Sequence, residues 1–198
     1  ELLGGDPQAP RTLLADLDPG DADEPAFRTE YFGPVLGVTR LPGDGAAQFL
    51  DQAVAFCNQR LQGDLGATVL AAPRTLRELG PGFEAAVARL RYGTVAVNCW
   101  VGPIFGMPRA TWGAYPGHEL HDVGSGIGLV HNALLLDPGH VERTVGRGPF
   151  RPWPKPLWSV TNRTAQVTGE RMTRFVAASS WAKALPRVAA AIASSLRG

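Results

Sequence analysis

The chain has 198 residues, 44% hydrophobic and 19% charged, enough for one large domain with a real core or for a piece of a bigger protein. A formal net charge of +1 gives no bulk argument for nucleic acid or an anionic membrane as partner, and no run approaches the ~18 apolar residues that span a bilayer. Two cysteines, Cys57 and Cys99, make no secreted disulfide framework; without a signal peptide at the front they read as reduced thiols in the cytoplasm.

The opening ELLGGDPQAP carries no initiator methionine and no clear first element, which fits a cloned, processed or proteolysed fragment. Thr12 to Leu17 reads as a short extended piece, and Asp18 to Glu24 as a solvated acidic connection, since nothing apolar orders it as a cation site. Pro34 to Thr39 is a strand candidate. Between Asp44 and Leu61, apolar residues including Phe49, Leu50, Val54 and Cys57 recur at the helical period, with Asp44 as N-cap and Gly63 ending the helix. Ala67 to Pro73 follows as a strand, Phe83 to Gly93 as a helix and Thr94 to Trp100 as a strand. Such alternation predicts a parallel α/β layer with right-handed crossovers. Gly102 to Asn132 is glycine-rich and shows no clear element, while Ala133 to Asp137 is apolar and His140 to Gly146 reads as an edge strand. Gly148 to Trp158 is proline-rich and extended, and Glu170 to Leu196 is helical, with Trp181, Leu185, Val188 and Ile192 on one apolar stripe.

Few side chains combine into a recognisable site. HELH, His118 to His121, with His131 further on, invites a zinc reading, but the second histidine comes one position too early for H-E-x-x-H. Surface or hydrogen-bonded histidines are the favoured reading, and no metal is expected. GSGIG, Gly124 to Gly128, lacks the G-x-G-x-x-G spacing and reads as a tight turn; Ser125 sits in no G-x-S-x-G elbow. Cys99 ends an apolar strand and Cys57 lies on an apolar helix face, so both read as small buried thiols. RPWPKP, Arg151 to Pro156, could serve as a proline-rich ligand, but an ordered surface arm is favoured.

Several blocks resemble the C-terminal part of the aldehyde dehydrogenase superfamily. Glu30-Tyr31-Phe32-Gly33-Pro34 resembles its E-x-F-G-P motif, and Leu90 to Asn98, LRYGTVAVN, resembles its G-T-V-x-V-N block. FCNQRL followed by GDLGATVLA is similar to the family's helix, connection and strand, and His140 to Phe150 falls where the family places a strand that pairs across subunits. The resemblance covers roughly Glu1 to Phe150.

The resemblance implies a partial three-layer α/β catalytic subdomain over 1–139, an oligomerisation strand over 140–150, and a proline-rich arm and helical tail over 151–198. It implies a parent enzyme that oxidises an aldehyde to an acid through a cysteine thioester, using NAD or NADP, as a homo-oligomer without nucleic-acid or membrane partners. Glu30 matches the glutamate that bonds the nicotinamide ribose hydroxyls, and Phe32 the aromatic packed near the nicotinamide. Asn98 and Trp100 would border the substrate site. No catalytic residue falls in this chain, because the family's nucleophile, general base and dinucleotide fold precede E-x-F-G-P; the chain alone is expected to be inactive. The family's P-F-G-G-x-K-x-S-G segment survives only as PRATWGAYPG, Pro108 to Gly117. A non-catalytic module that kept the fold, and a coenzyme A-acylating reductase of the same superfamily, stand as alternatives.

Overall fold

A computed structural model describes residues 2–3, 10–132, 135 and 143–198, and the chain divides into two units, Glu1–Gly148 and Pro149–Gly198. The first begins with a small sheet of β1 (Leu2–Leu3), β2 (Arg11–Leu17) and β3 (Val35–Thr39), β1 antiparallel and β3 parallel to β2. Its register slips between Leu14 and Leu17, where Asp16 takes a positive φ of 54° as in a β-bulge. Between β2 and β3 a single 3-10 turn, Pro25–Phe27, is capped by Glu24, whose carboxylate accepts the Ala26 N–H at 2.8 Å.

Helix α1 (Ala46–Arg60) follows, then β4 (Gly66–Val69), α2 (Pro73–Leu79), α3 (Pro81–Arg89), β5 (Thr94–Val97), α4 (Gly102–Phe105) and β6 (Thr144–Arg147). The second sheet has the order β4-β5-β6, all parallel, with Val95 opposite Ala67 on one side and Val145 on the other. Every residue of β5 is buried, as a central parallel strand requires, and this explains its unbroken TVAV composition. Val95 and Val97 join Val54 of α1 and Phe83, Ala86 and Val87 of α3 in the core cluster. Prolines open α2 and α3, where a missing N–H costs nothing.

Two sequence expectations need correction. The strands do not form one continuous layer: β3 pairs with β2 in a sheet separate from β4 and β5. The cap of α1 is Gly45 rather than Asp44, because the Gln48 side chain reaches back to accept the Asp44 N–H at 2.6 Å, and the helix stops at Arg60, well before Gly63. The edge strand expected within His140 to Gly146 is found as β6, Thr144–Arg147, at the edge of the second sheet, while residues 140–142 and most of Ala133 to Asp137 lie outside the described residues. The helix α2 was hidden to periodicity by its shortness.

The second unit is an antiparallel pair of helices, α5 (Ala165–Val176) and α6 (Trp181–Ser195). Thr168 Oγ1 donates to Ser194 Oγ at 2.8 Å, and Arg171 donates to the Ala190 carbonyl at 2.9 Å. The face of α6 turned to α5 is made of small residues, Ala184, Ala191 and Ser194, all buried. The predicted stripe is therefore not the packed face: Trp181, Leu185 and Ile192 are exposed and Val188 is half-buried. Among the described residues, no helix is long and apolar enough to cross a membrane.

Gly93 precedes β5 at a point of close approach, since a Cβ there would lie 1.9 Å from the Gly113 carbonyl oxygen. Gly93→Ala is expected to cost about 3 kcal/mol in urea unfolding; an unchanged midpoint would show that the 113–114 segment does not press on the sheet.

Candidate functional site

The position of Glu30 is set by the segment before it. The Phe27 ring packs edge-on against Phe56 of α1, with centroids 5.0 Å apart, and the Phe27 carbonyl accepts the Gln62 N–H at 2.7 Å. The chain from Arg28 onward is thereby led past the end of α1 to Gly63. A Cβ on Gly63, which has φ +88°, would lie 2.9 Å from Glu30 Oε1 and 3.3 Å from Ser125 Oγ. Only a glycine leaves room for the carboxylate and the hydroxyl to converge there. Among the described residues Glu30 has no hydrogen-bond or ionic partner. Phe32, two residues on, is 93% exposed and sits at φ +46°, a conformation uncommon for a bulky side chain.

Beside this point opens a cleft of about 670 Å³, lined by Asn58, Gln62, Asp64, Arg91, His118 and Ser125 among others. Asp64 is its hub. Its carbonyl accepts the N–H groups of Gly93 at 2.9 Å and Tyr115 at 3.3 Å, and its own N–H donates to Ser125 Oγ at 2.9 Å. Its carboxylate meets His118 Nε2 at 2.8 Å. The imidazole then lies across Gly124, where a Cβ would fall 2.1 Å from its Cε1. One residue thus fastens the start of β5 and three points of the 115–125 loop to the α1–β4 connection. Sequence reading passed over Asp64, taking GDLG only as part of the connection between helix and strand; a carboxylate directly after a glycine in that connection was the signal available.

The remaining candidates lie elsewhere. Asn98 ends β5 at φ +58°, and its Oδ1 accepts the Ala71 N–H at 2.9 Å, tying the exits of β4 and β5 together. Trp100 is half exposed and lies over Gly102. None of Glu30, Phe32, Asn98 and Trp100 lines the cleft; Glu30 reaches Gly63, which does. The three histidines also part company: His118 goes to Asp64, His121 to the exposed Glu119 at 3.4 Å, and His131 to the edge of Phe105 at 5.2 Å. Among the described residues no three His, Cys, Asp or Glu side chains gather as a metal ion would need. Burial pushes the thiols of Cys57 and Cys99 above their ordinary range. Tyr92, whose hydroxyl donates to the Cys57 carbonyl at 3.2 Å, is pushed up as well, first by burial and then by the nearby Cys57 and Asp64 charges.

Over 144 residues, 72% of its length, the chain is 31% identical to the fluoroacetaldehyde dehydrogenase of Streptantibioticus cattleyicolor. That stretch covers 23% of the relative, so the chain spans about a quarter of the protein it matches. No protein-family model and no solved structure matches.

Asp64→Ala removes the acceptor of His118 and is expected to cost about 2 kcal/mol in urea unfolding, with faster proteolytic cleavage inside 115–125. Cleavage at the unaltered rate would mean that the loop is held by other contacts. For the thiols, iodoacetamide alkylation should be slow at pH 7 and climb with pH beyond the ordinary cysteine range; rapid alkylation of Cys99 at pH 7 would contradict a raised pKa.

Proposed function

We propose that this chain is the C-terminal part of the catalytic domain of an NAD(P)-dependent aldehyde dehydrogenase, and that it serves an oxidation of aldehyde to acid whose nucleophile lies N-terminal to it. The observation that carries this reading is the 31% identity over 144 residues to an enzyme of that name, in a chain that also contains EYFGP and GTVAVN. Burial that raises the thiols of Cys57 and Cys99 fits a nucleophile located elsewhere, since a thiol attacks as its thiolate.

Within that reading, Glu30 holds the dinucleotide. An unpaired carboxylate, approached on a glycine rather than a side chain, suits two neighbouring ribose hydroxyls, each donating a charge-assisted hydrogen bond. Phe32 offers a solvent-facing ring beside it for the nicotinamide end. The bound nicotinamide supplies the hydride acceptor. Asn98 fixes the exits of two neighbouring strands, and the exposed Trp100 after it borders the aldehyde entrance. The parent acts as a homo-oligomer in the cytoplasm, and its outer strand, β6, pairs with one neighbour only in the described residues.

Two measurements test this. The 198-residue chain alone, mixed with short aldehydes and NAD+ or NADP+, is expected to form no reduced dinucleotide; turnover abolished by Cys99→Ser would overturn the proposal. In a longer polypeptide carrying the upstream residues, Glu30→Gln should raise the KM for the dinucleotide about tenfold, the worth of one charged hydrogen bond. An unaltered KM would remove Glu30 from the cofactor site.

A further inference from the structure

The net charge of +1 conceals a division. Residues 149–198 hold eight of the nineteen Lys and Arg but one of the eighteen acidic residues, Glu170, a balance of +7 against −6 for residues 1–148. The same unit leaves its apolar side chains uncovered. Along α6, Trp181 is 77% exposed, Leu185 60% and Ile192 56%, because the helix packs on α5 through alanine and serine instead. These three lie four and seven residues apart, on one side of the helix, and the row continues to the exposed Leu196.

Next to Leu196, Arg197 lines an open notch of about 500 Å³ together with Lys155 and Arg163. The notch is a built feature. Asn162 closes it by donating to the Lys155 and Pro156 carbonyls at 2.8 and 3.2 Å while its own oxygen accepts the Thr164 N–H at 2.8 Å. Lys155 Nζ donates to the Thr161 carbonyl at 3.1 Å, and Val160 at the rim is fully exposed.

We propose that the second unit docks on an anionic lipid surface, with the Trp181–Leu185–Ile192 row and Val160 seated at the headgroup boundary and the Lys155–Arg163–Arg197 notch taking lipid phosphates. Cations flanking exposed aliphatic and aromatic side chains are the chemistry of an interfacial amphipathic helix. Nucleic acid uses the cations and aromatic rings but gains nothing from exposed leucine, isoleucine and valine. A helix too short and too charged to span can still lie in the interface, so the lack of a crossing helix among the described residues does not conflict with surface docking. The docking is independent of the catalytic reading.

Flotation of the full chain with vesicles tests it. The chain should float with phosphatidylcholine vesicles that contain phosphatidylglycerol and not with phosphatidylcholine alone. The triple change Lys155→Gln, Arg163→Gln, Arg197→Gln should weaken partitioning about a hundredfold, at roughly fivefold per cation. Trp181→Ser with Leu185→Ser should weaken it about tenfold, and both variants should keep the helical circular dichroism because none of the altered side chains is among the buried residues of this unit. No flotation with the anionic vesicles would overturn the proposal. So would equal flotation with both vesicle types, flotation indifferent to both variants, or self-association or nucleic-acid binding without flotation.

Discussion

The 115–125 side of the candidate site depends on Asp64. It stands between α1 and β4, and from that one position it satisfies backbone groups of Gly93 and Tyr115, a serine hydroxyl and an imidazole. Its second carboxylate oxygen, Oδ1, is buried and has no partner among the described residues. An unpaired buried oxygen is costly, and it is tolerated here because the other bonds of the same residue hold the loop and the sheet at once. The cleft is therefore a consequence of the way one turn is fastened. It exists because the 115–125 loop cannot lift from the α1–β4 connection without breaking several bonds together.

Glycines complete what Asp64 begins. Gly63, Gly93 and Gly124 are each pressed by another group, respectively the Glu30 carboxylate, the Gly113 carbonyl and the His118 ring. Of these, Gly124 belongs to the glycine-rich stretch from Gly102 to Asn132 that periodicity could not read, and there the glycine is the condition for the close approach of the His118 ring. Among the described residues the Glu30 carboxylate stays unpaired, with Gly63 leaving open the space a side chain would fill.

The regular elements were legible where one physical effect dominated. The buried strand Thr94–Val97 and the amphipathic α1 announce themselves by composition and period, and both are found within a few residues of their expected ends. Partnering was not legible: Val35–Thr39 looks like a neighbour of β4 but pairs with β2, since strand order is decided by contacts far apart in sequence. The α6 stripe misled for a related reason. Trp181, Leu185 and Ile192 have the spacing of a core face, yet Ala184, Ala191 and Ser194 let α5 approach more closely on the adjacent side. At the site, the E-x-F-G-P resemblance singled out Glu30 and Phe32, whereas Asp64 and Ser125 emerged only once distant loops were placed together.

The claim on which the functional reading turns is that Glu30 contacts the dinucleotide beside the Asp64 cleft. The most direct measurement is a crystal structure of the longer polypeptide with NAD+ or NADP+ bound. The Glu30 carboxylate is expected within hydrogen-bond distance of the ribose hydroxyls, with Phe32 against the nicotinamide end. A dinucleotide seated elsewhere, with Glu30 left facing solvent, would contradict it.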